Sequence, residues 1–208
     1  MADLNVLKEA VIDGDLDIAL ELTRAAIAEK IEPEKILNQG LIAAMDTIGE
    51  RFSRNEIYIP EMMIAARAMK AAMEILEPML VKAGIKPLGN FVIGTVAGDQ
   101  HDIGKNLVAI MMKGAGFKVI DLGVDVSIEK FIEQAEATGA NIIGISTLLT
   151  TTMPVMEEMI KAAKKAGVKS RIMVGGAPVT QDFANRIGAD GYAQDAAAAV
   201  LVAKNLVA

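Results

Sequence analysis

The apolar positions follow two different periods along the chain. Up to about residue 83 they recur at helical spacing: Leu4, Leu7 and Val11, then Ile18, Leu22, Ala25 and Ile27. Such spacing predicts helices that each bury one face. Asp13-Gly14-Asp15 separates the first two helices, and Asp15 is placed to cap the second. Pro33 falls in the first turn of a third helix, along Ile36, Leu37, Leu41, Ala44, Met45, Ile48 and Phe52. Ser53-Arg54-Asn55-Glu56 is a turn, and Ile57-Tyr58-Ile59-Pro60 leads into a fourth helix. That helix follows Met62, Met63, Ala66, Met69, Met73, Leu76 and Leu80, with Pro78 set to bend or end it. Four helices joined by short loops predict a bundle.

Ala83 to Asn90 reads as a linker by its Gly and Pro content. Beyond it the period changes. Short apolar runs at 91–96, 118–122, 142–146 and 171–175, with a weaker one at 189–193, alternate with helical stretches near 104–115, 127–138, 153–166, 180–187 and 195–206. Strand–helix alternation with strands buried on both faces predicts a parallel α/β sheet. The predicted fold is a four-helix bundle followed by a flavodoxin- or Rossmann-like five-stranded parallel sheet.

Composition narrows the chemistry. The 208 residues include no Cys, so no disulfide, thiolate metal site or cysteine nucleophile exists. A single histidine, His101, excludes a multi-histidine metal site and a His–His acid/base pair. Thirteen Met, with no Trp, fill core volume that aromatics usually take. There are 27 acidic against 21 basic residues, a formal net charge of −6, which argues against a non-specific grip on nucleic acid. The longest apolar runs are about eight residues, far short of the ~20 that span a bilayer, so no membrane association is expected. Met1-Ala2-Asp3-Leu4 shows no basic signal-peptide start, and the expected compartment is the cytoplasm.

In open α/β sheets, ligands bind beyond the carboxyl ends of the strands. After the first strand stands Ala97-Gly98-Asp99-Gln100-His101-Asp102-Ile103-Gly104-Lys105-Asn106; after the third, Ser146 to Thr152; after the fourth, Gly175-Gly176; after the fifth, Tyr192-Ala193-Gln194. The first loop fits a phosphate loop poorly: five residues separate Gly98 from Gly104, and Asn106 follows Lys105 where Ser or Thr is required. The glycines do not fit a dinucleotide fingerprint either. A D-x-H pair matches the carboxylate-behind-histidine arrangement common at metals. Taken alone, three fixed positions more often describe a surface histidine beside a capping Asp99. Small residues at three strand ends leave a broad cavity beside the histidine, suited to a large planar or tail-bearing ligand.

Asp99-x-His101-x-x-Gly104, Ser146-x-Leu148 and Gly175-Gly176 together resemble the signature of cobalamin-binding domains. These occur in methionine synthase, in corrinoid subunits of methyltransferase systems and in several mutases. The helical half is similar to the methylcobalamin cap, through Phe52, Ile59-Pro60-Glu61-Met62-Met63 and Ala65 to Lys70. The resemblance implies a helical cap domain at 1–88 and a cobalamin-binding Rossmann-like domain at 89–208.

By that resemblance His101 is the lower axial ligand of cobalt, replacing the cofactor's own base, with Asp99 behind it and Thr152 extending a relay. Gly98, Asp102, Ile103 and Gly104 complete the ligand loop. Ser146, Leu148 and Thr150 line the pocket for the nucleotide tail, and Gly175 and Gly176 let that tail run close to the sheet. Tyr192 and Gln194 are further tail contacts. Phe52, Ile59, Met62 and Met63 cover the upper face of the corrin, or else belong to the bundle core.

The implied function is a corrinoid methyl carrier, itself a non-autonomous subunit, cycling between methylcobalamin and cob(I)alamin. Its partners would be separate methyltransferases of TIM-barrel type and a reductive activase. The acceptor of the second methyltransferase would be tetrahydrofolate or coenzyme M. A chain of 208 residues has no room for a ~250-residue barrel of its own. A cobalamin-dependent regulator, or the cobalamin subunit of a mutase, is the alternative. The first usually carries a DNA-binding segment and a cap Trp, and the second lacks the helical cap.

Overall fold

The structure, a computed structural model, describes residues 2–208. The chain divides into two compact units. One runs to Lys86 and includes Gly114–Gly116; the other comprises Pro87–Lys113 and Phe117–Ala208.

The first unit is helical. Helix α1 (Leu4–Ile12) is capped by Asp3, and α2 (Leu16–Ala28) by Asp15, whose carboxylate accepts from the Ile18 amide at 3.1 Å. The predicted third helix is three segments without a break: α3 (Pro33–Lys35), a π-helical stretch (Ile36–Ile42) and α4 (Ala43–Ser53). Gly40 in the wide stretch lies against Leu7 of α1; a Cβ there would stand 2.8 Å from the leucine methyl. Helix α5 (Ile59–Lys82) buries Met62, Ala65, Met69, Ala72, Leu76 and Leu80, one continuous face at three-to-four spacing. Pro78 does not end it. The ring removes one hydrogen bond, but the helix continues to Lys82.

The second unit alternates strands and helices. Its strands are β1 (Asn90–Thr95), β2 (Lys118–Asp121), β3 (Ile142–Ser146), β4 (Arg171–Gly175) and β5 (Gly191–Ala193). Its helices are α6 (Ile103–Gly114), α7 (Ile128–Thr138), α8 (Met153–Ala166), α9 (Gln181–Ile187) and α10 (Ala196–Val207). The sheet is parallel, in the order β2-β1-β3-β4-β5. The chain therefore reverses direction across the sheet between β1 and β3, where two carboxyl-end loops meet.

Double burial holds for β1 and for the middle of β3 and β4, but not for β2. That strand forms one edge, and only its central residues are half-buried. Glycines inside the sheet make room for aromatic rings: a Cβ at Gly94 would press on Phe131 at 2.8 Å, and one at Gly144 on Phe91 at 2.7 Å. Helix ends are marked in the sequence. Ser127, Thr180 and Asp195 cap α7, α9 and α10 through their side chains, and Gly139, Gly167 and Gly188 close α7, α8 and α9 with left-handed backbone.

Candidate functional site

Register places the loops at one level. Thr95 pairs with Ser146, Ser146 with Gly175, and Gly175 with Ala193, a single row across β1, β3, β4 and β5. The loops beyond this row carry most of the site residues expected from sequence.

At its centre is Asp99, with no exposed surface. One carboxylate oxygen accepts from the His101 amide at 3.0 Å and from the His101 ring Nδ1 at 2.7 Å. The other accepts from the Thr147 hydroxyl at 2.8 Å and from the Leu148 amide at 2.7 Å. Burial by itself pushes the Asp99 carboxyl up. The hydrogen bonds from Leu148, His101 and Thr147 outweigh it and hold the group well below the usual carboxylate range. An ionised Asp99 accepts from all four donors, so the proton of the neutral imidazole sits on Nδ1. Nε2 has no protein partner among the described residues, and the ring is half exposed.

The backbone of His101 is held as well. The Thr95 hydroxyl, buried at the end of β1, donates to the His101 carbonyl at 2.8 Å. His101 is thus fixed by its amide, its carbonyl and one ring nitrogen, with the other ring nitrogen available.

Thr152 joins the relay at one remove. Its hydroxyl lies 2.6 Å from that of Thr147, which in turn touches Asp99. Because Thr147 gives its proton to the carboxylate, Thr152 is the donor in the short hydroxyl pair, and the chain runs Thr152 to Thr147 to Asp99. Thr147 was missed as a site residue. It directly follows β3, between Ser146 and Leu148, which the resemblance names instead.

The remaining expected residues fall into three groups. Gly98, Asp102, Ile103 and Gly104 surround the histidine on its own loop. Ile103 is 75% exposed, and Leu148 (45%) and Leu149 (36%) of the facing loop are exposed too. The two loops thus expose three aliphatic side chains, and the imidazole of His101 is half-exposed. Ser146 is half-buried at the end of β3, and Thr150 is exposed.

Gly175 and Gly176 have structural reasons of their own. A Cβ on Gly176 would collide with the Thr147 carbonyl, and its φ is +127°. At Gly175 a Cβ would stand 3.1 Å from the Ala193 carbonyl. Bare backbone at Gly176 lets the β4 loop pass against the residue that touches Asp99. Tyr192 on β5 packs partly on the sheet's apolar core, and Gln194 beyond it is exposed.

In the helical unit, Met62 and Met63 separate. Met62 is fully buried and continues the inward face of α5, as a core residue does. Met63 (52% exposed) and Ile59 (38%) stand one turn apart on the same helix, and Phe52 is half-buried near the end of α4.

The donor set suits a cobalt macrocycle. One imidazole with a carboxylate behind it offers a single axial ligand, and no second ligand is needed where four equatorial positions are filled by a ring. Two matches to the B12 binding domain family cover residues 89–201 and 4–77. A dimethylamine corrinoid protein of Methanosarcina acetivorans is 45% identical over 206 residues, covering 98% of this chain and 96% of its own. A cobalamin-binding protein of Desulfitobacterium hafniense, solved by crystallography, aligns over 100% of both chains at 30% identity and a TM-score of 0.83. A chain of the methanol:cobalamin methyltransferase complex of Methanosarcina barkeri aligns at 28% identity and a TM-score of 0.87, over 98% of this chain and 79% of that one. The chain belongs to the B12-binding corrinoid proteins of methyltransferase systems.

Proposed function

We propose that the protein is a methyl carrier that would hold cobalamin through Nε2 of His101. The observation that supports this most is the Asp99–His101 pair, which leaves one imidazole nitrogen available amid exposed aliphatic side chains. Bound cobalamin supplies a cobalt centre able to accept and give up a methyl group. The chain's own residues do the rest. Asp99 stabilises positive charge on the imidazole and raises its basicity as a ligand. Thr147 and Thr152 keep Asp99 ionised by donating toward it. Ile103, Leu148 and Leu149 would shield the cofactor from water beside His101. Ile59, Met63 and Phe52 of the helical unit are the further residues that the family resemblance implies for the cofactor. The tail takes Ser146, Thr150, Gly175, Gly176, Tyr192 and Gln194.

The partners are a donor methyltransferase, an acceptor methyltransferase and a reductive activase. A methylated amine is the first donor substrate to test, because the dimethylamine relative is more similar in sequence than the methanol one.

The test is spectroscopic. Purified protein is incubated with hydroxocobalamin, desalted and scanned in the visible range. Retained corrinoid, with a spectrum that shifts in His101→Ala, is the expected result. Absence of retained corrinoid in the unaltered protein would refute the proposal.

A further inference from the structure

The segment after β2 is laced to the segment after β1. The Leu122 amide donates to the Ile93 carbonyl at 2.8 Å, the Thr95 amide to Gly123 at 3.0 Å, and the Val126 amide to Thr95 at 3.0 Å. The two outermost bonds come from one residue, Asp125. Its carboxylate accepts from the Gly98 amide at 2.7 Å. Its own amide donates to the Asp99 carbonyl at 3.0 Å. Asp125 therefore grips the Gly98–Asp99 dipeptide at both ends, and Asp99 is the residue that holds the His101 ring.

Asp125 does this from a left-handed backbone, at φ +53°. A side chain is disfavoured there, and glycine would occupy the position without strain. What glycine lacks is the carboxylate. A charged acceptor on the Gly98 amide makes a stronger bond than a neutral one. A second tie lies just past the histidine: the Lys105 ammonium, buried in α6, pairs with Asp121 at 2.6 Å. The 121–126 segment thus stays anchored when Asp125 is altered.

We infer that Asp125 is a positioning residue for the axial ligand. Its carboxylate sets the Gly98–Asp99 turn, and through Asp99 the aim of the His101 ring. The role toward cobalt rests on the ligand assignment proposed above; the role toward the ring stands without it.

Two full-length variants separate carboxylate from backbone. Asp125→Asn keeps an acceptor oxygen and tolerates the left-handed conformation. Asp125→Gly keeps the conformation and removes the acceptor, so both retain the fold. The first measurement needs no cofactor. With one histidine in the chain, ¹⁵N-histidine labelling gives a single ring, whose Nδ1 proton reports its hydrogen bond to Asp99. The second is affinity for hydroxocobalamin with its visible spectrum. Expected are an Asp125→Asn ring signal like that of the unaltered protein and an Asp125→Gly signal without the Nδ1 hydrogen bond. Asp125→Gly also binds about tenfold more weakly, with a diminished histidine-coordinated spectrum. An unchanged ring signal and spectrum in Asp125→Gly overturn the inference while the ligand assignment stands. Identical corrinoid spectra from the unaltered protein and His101→Ala instead overturn the ligand assignment, and with it Asp125's role toward cobalt.

Discussion

Asp99 is where the site is decided at the scale of single residues. It is a buried charge made tolerable by four donors, and each donor is a separate handle on the histidine behind which it sits. Thr147 touches the carboxylate and Thr152 does not. Thr147→Val should therefore cost about 1–3 kcal/mol in urea denaturation, and Thr152→Val less. An equal or larger loss in Thr152→Val would contradict the order of the relay. The D-x-H pair was legible because both partners lie within three residues. Thr147 and Asp125 were not, because they reach Asp99 and Gly98 from 48 and 27 residues away, across strand pairings that only the register brings about.

Asp121 permits a pH prediction. Burial pushes its carboxyl up, but the Lys105 ammonium and the Gly123 amide more than offset this and hold it below its ordinary value. The native state then binds fewer protons than the unfolded chain as pH falls past the ordinary carboxylate range. The pair stabilises the fold above that range and stops doing so as Asp121 protonates. Asp121→Asn should flatten the acid limb of a stability-versus-pH curve. At neutral pH it should cost about 2 kcal/mol, a modest figure for breaking an ion pair because Asp121 remains a third exposed. An acid limb as steep as that of the unaltered protein would rule this out.

Elements, taken one at a time, differ in how far their sequence announces them. β3, β4 and α8 begin and end where hydrophobic pattern, Pro154 and Gly167 place them. β2 was placed to within a residue by its apolar run, but that run did not reveal that it is an edge strand and only half-buried. The π-helical stretch within the third helix has no local mark, since its apolar positions also satisfy an α-helical period. Glycines give the sharpest contrast between shape and site. Gly167→Ala meets open space at φ +75° and should cost about 1 kcal/mol without changing cobalamin binding. Gly176→Ala drives a Cβ into the Thr147 carbonyl at φ +127°. It should lower both the urea midpoint and the affinity for hydroxocobalamin; a binding isotherm superimposable on that of the unaltered protein would show that the loop yields harmlessly.

At the scale of the molecule, the hydrophobic period changes near residue 83, and the two compact units part after Lys86, with Gly114–Gly116 counted in the first. The described residues of the linker are largely exposed from Val81 to Leu88, with Gly84 in left-handed backbone and nothing near it. Limited trypsin digestion should cut first after Lys82, since Pro87 protects the bond after Lys86; mass spectrometry of the early fragments checks this. The role of the apolar residues of α5 was only partly legible. Apolar residues on a helix read alike whether they serve a core or a ligand, and it is burial that separates Met62 from Met63.

The solitary imidazole also bears on metal selection. Among the described residues no group of three or more His, Asp or Glu could hold an ion, and the chain has no Cys. Tight capture of a free divalent ion depends on chelation by several convergent donors. A lone Nε2 offers one bond, too little to strip water from circulating zinc or nickel. In the ligand role proposed for His101, the protein would select its metal by packaging and not by element, taking one already held inside a ring.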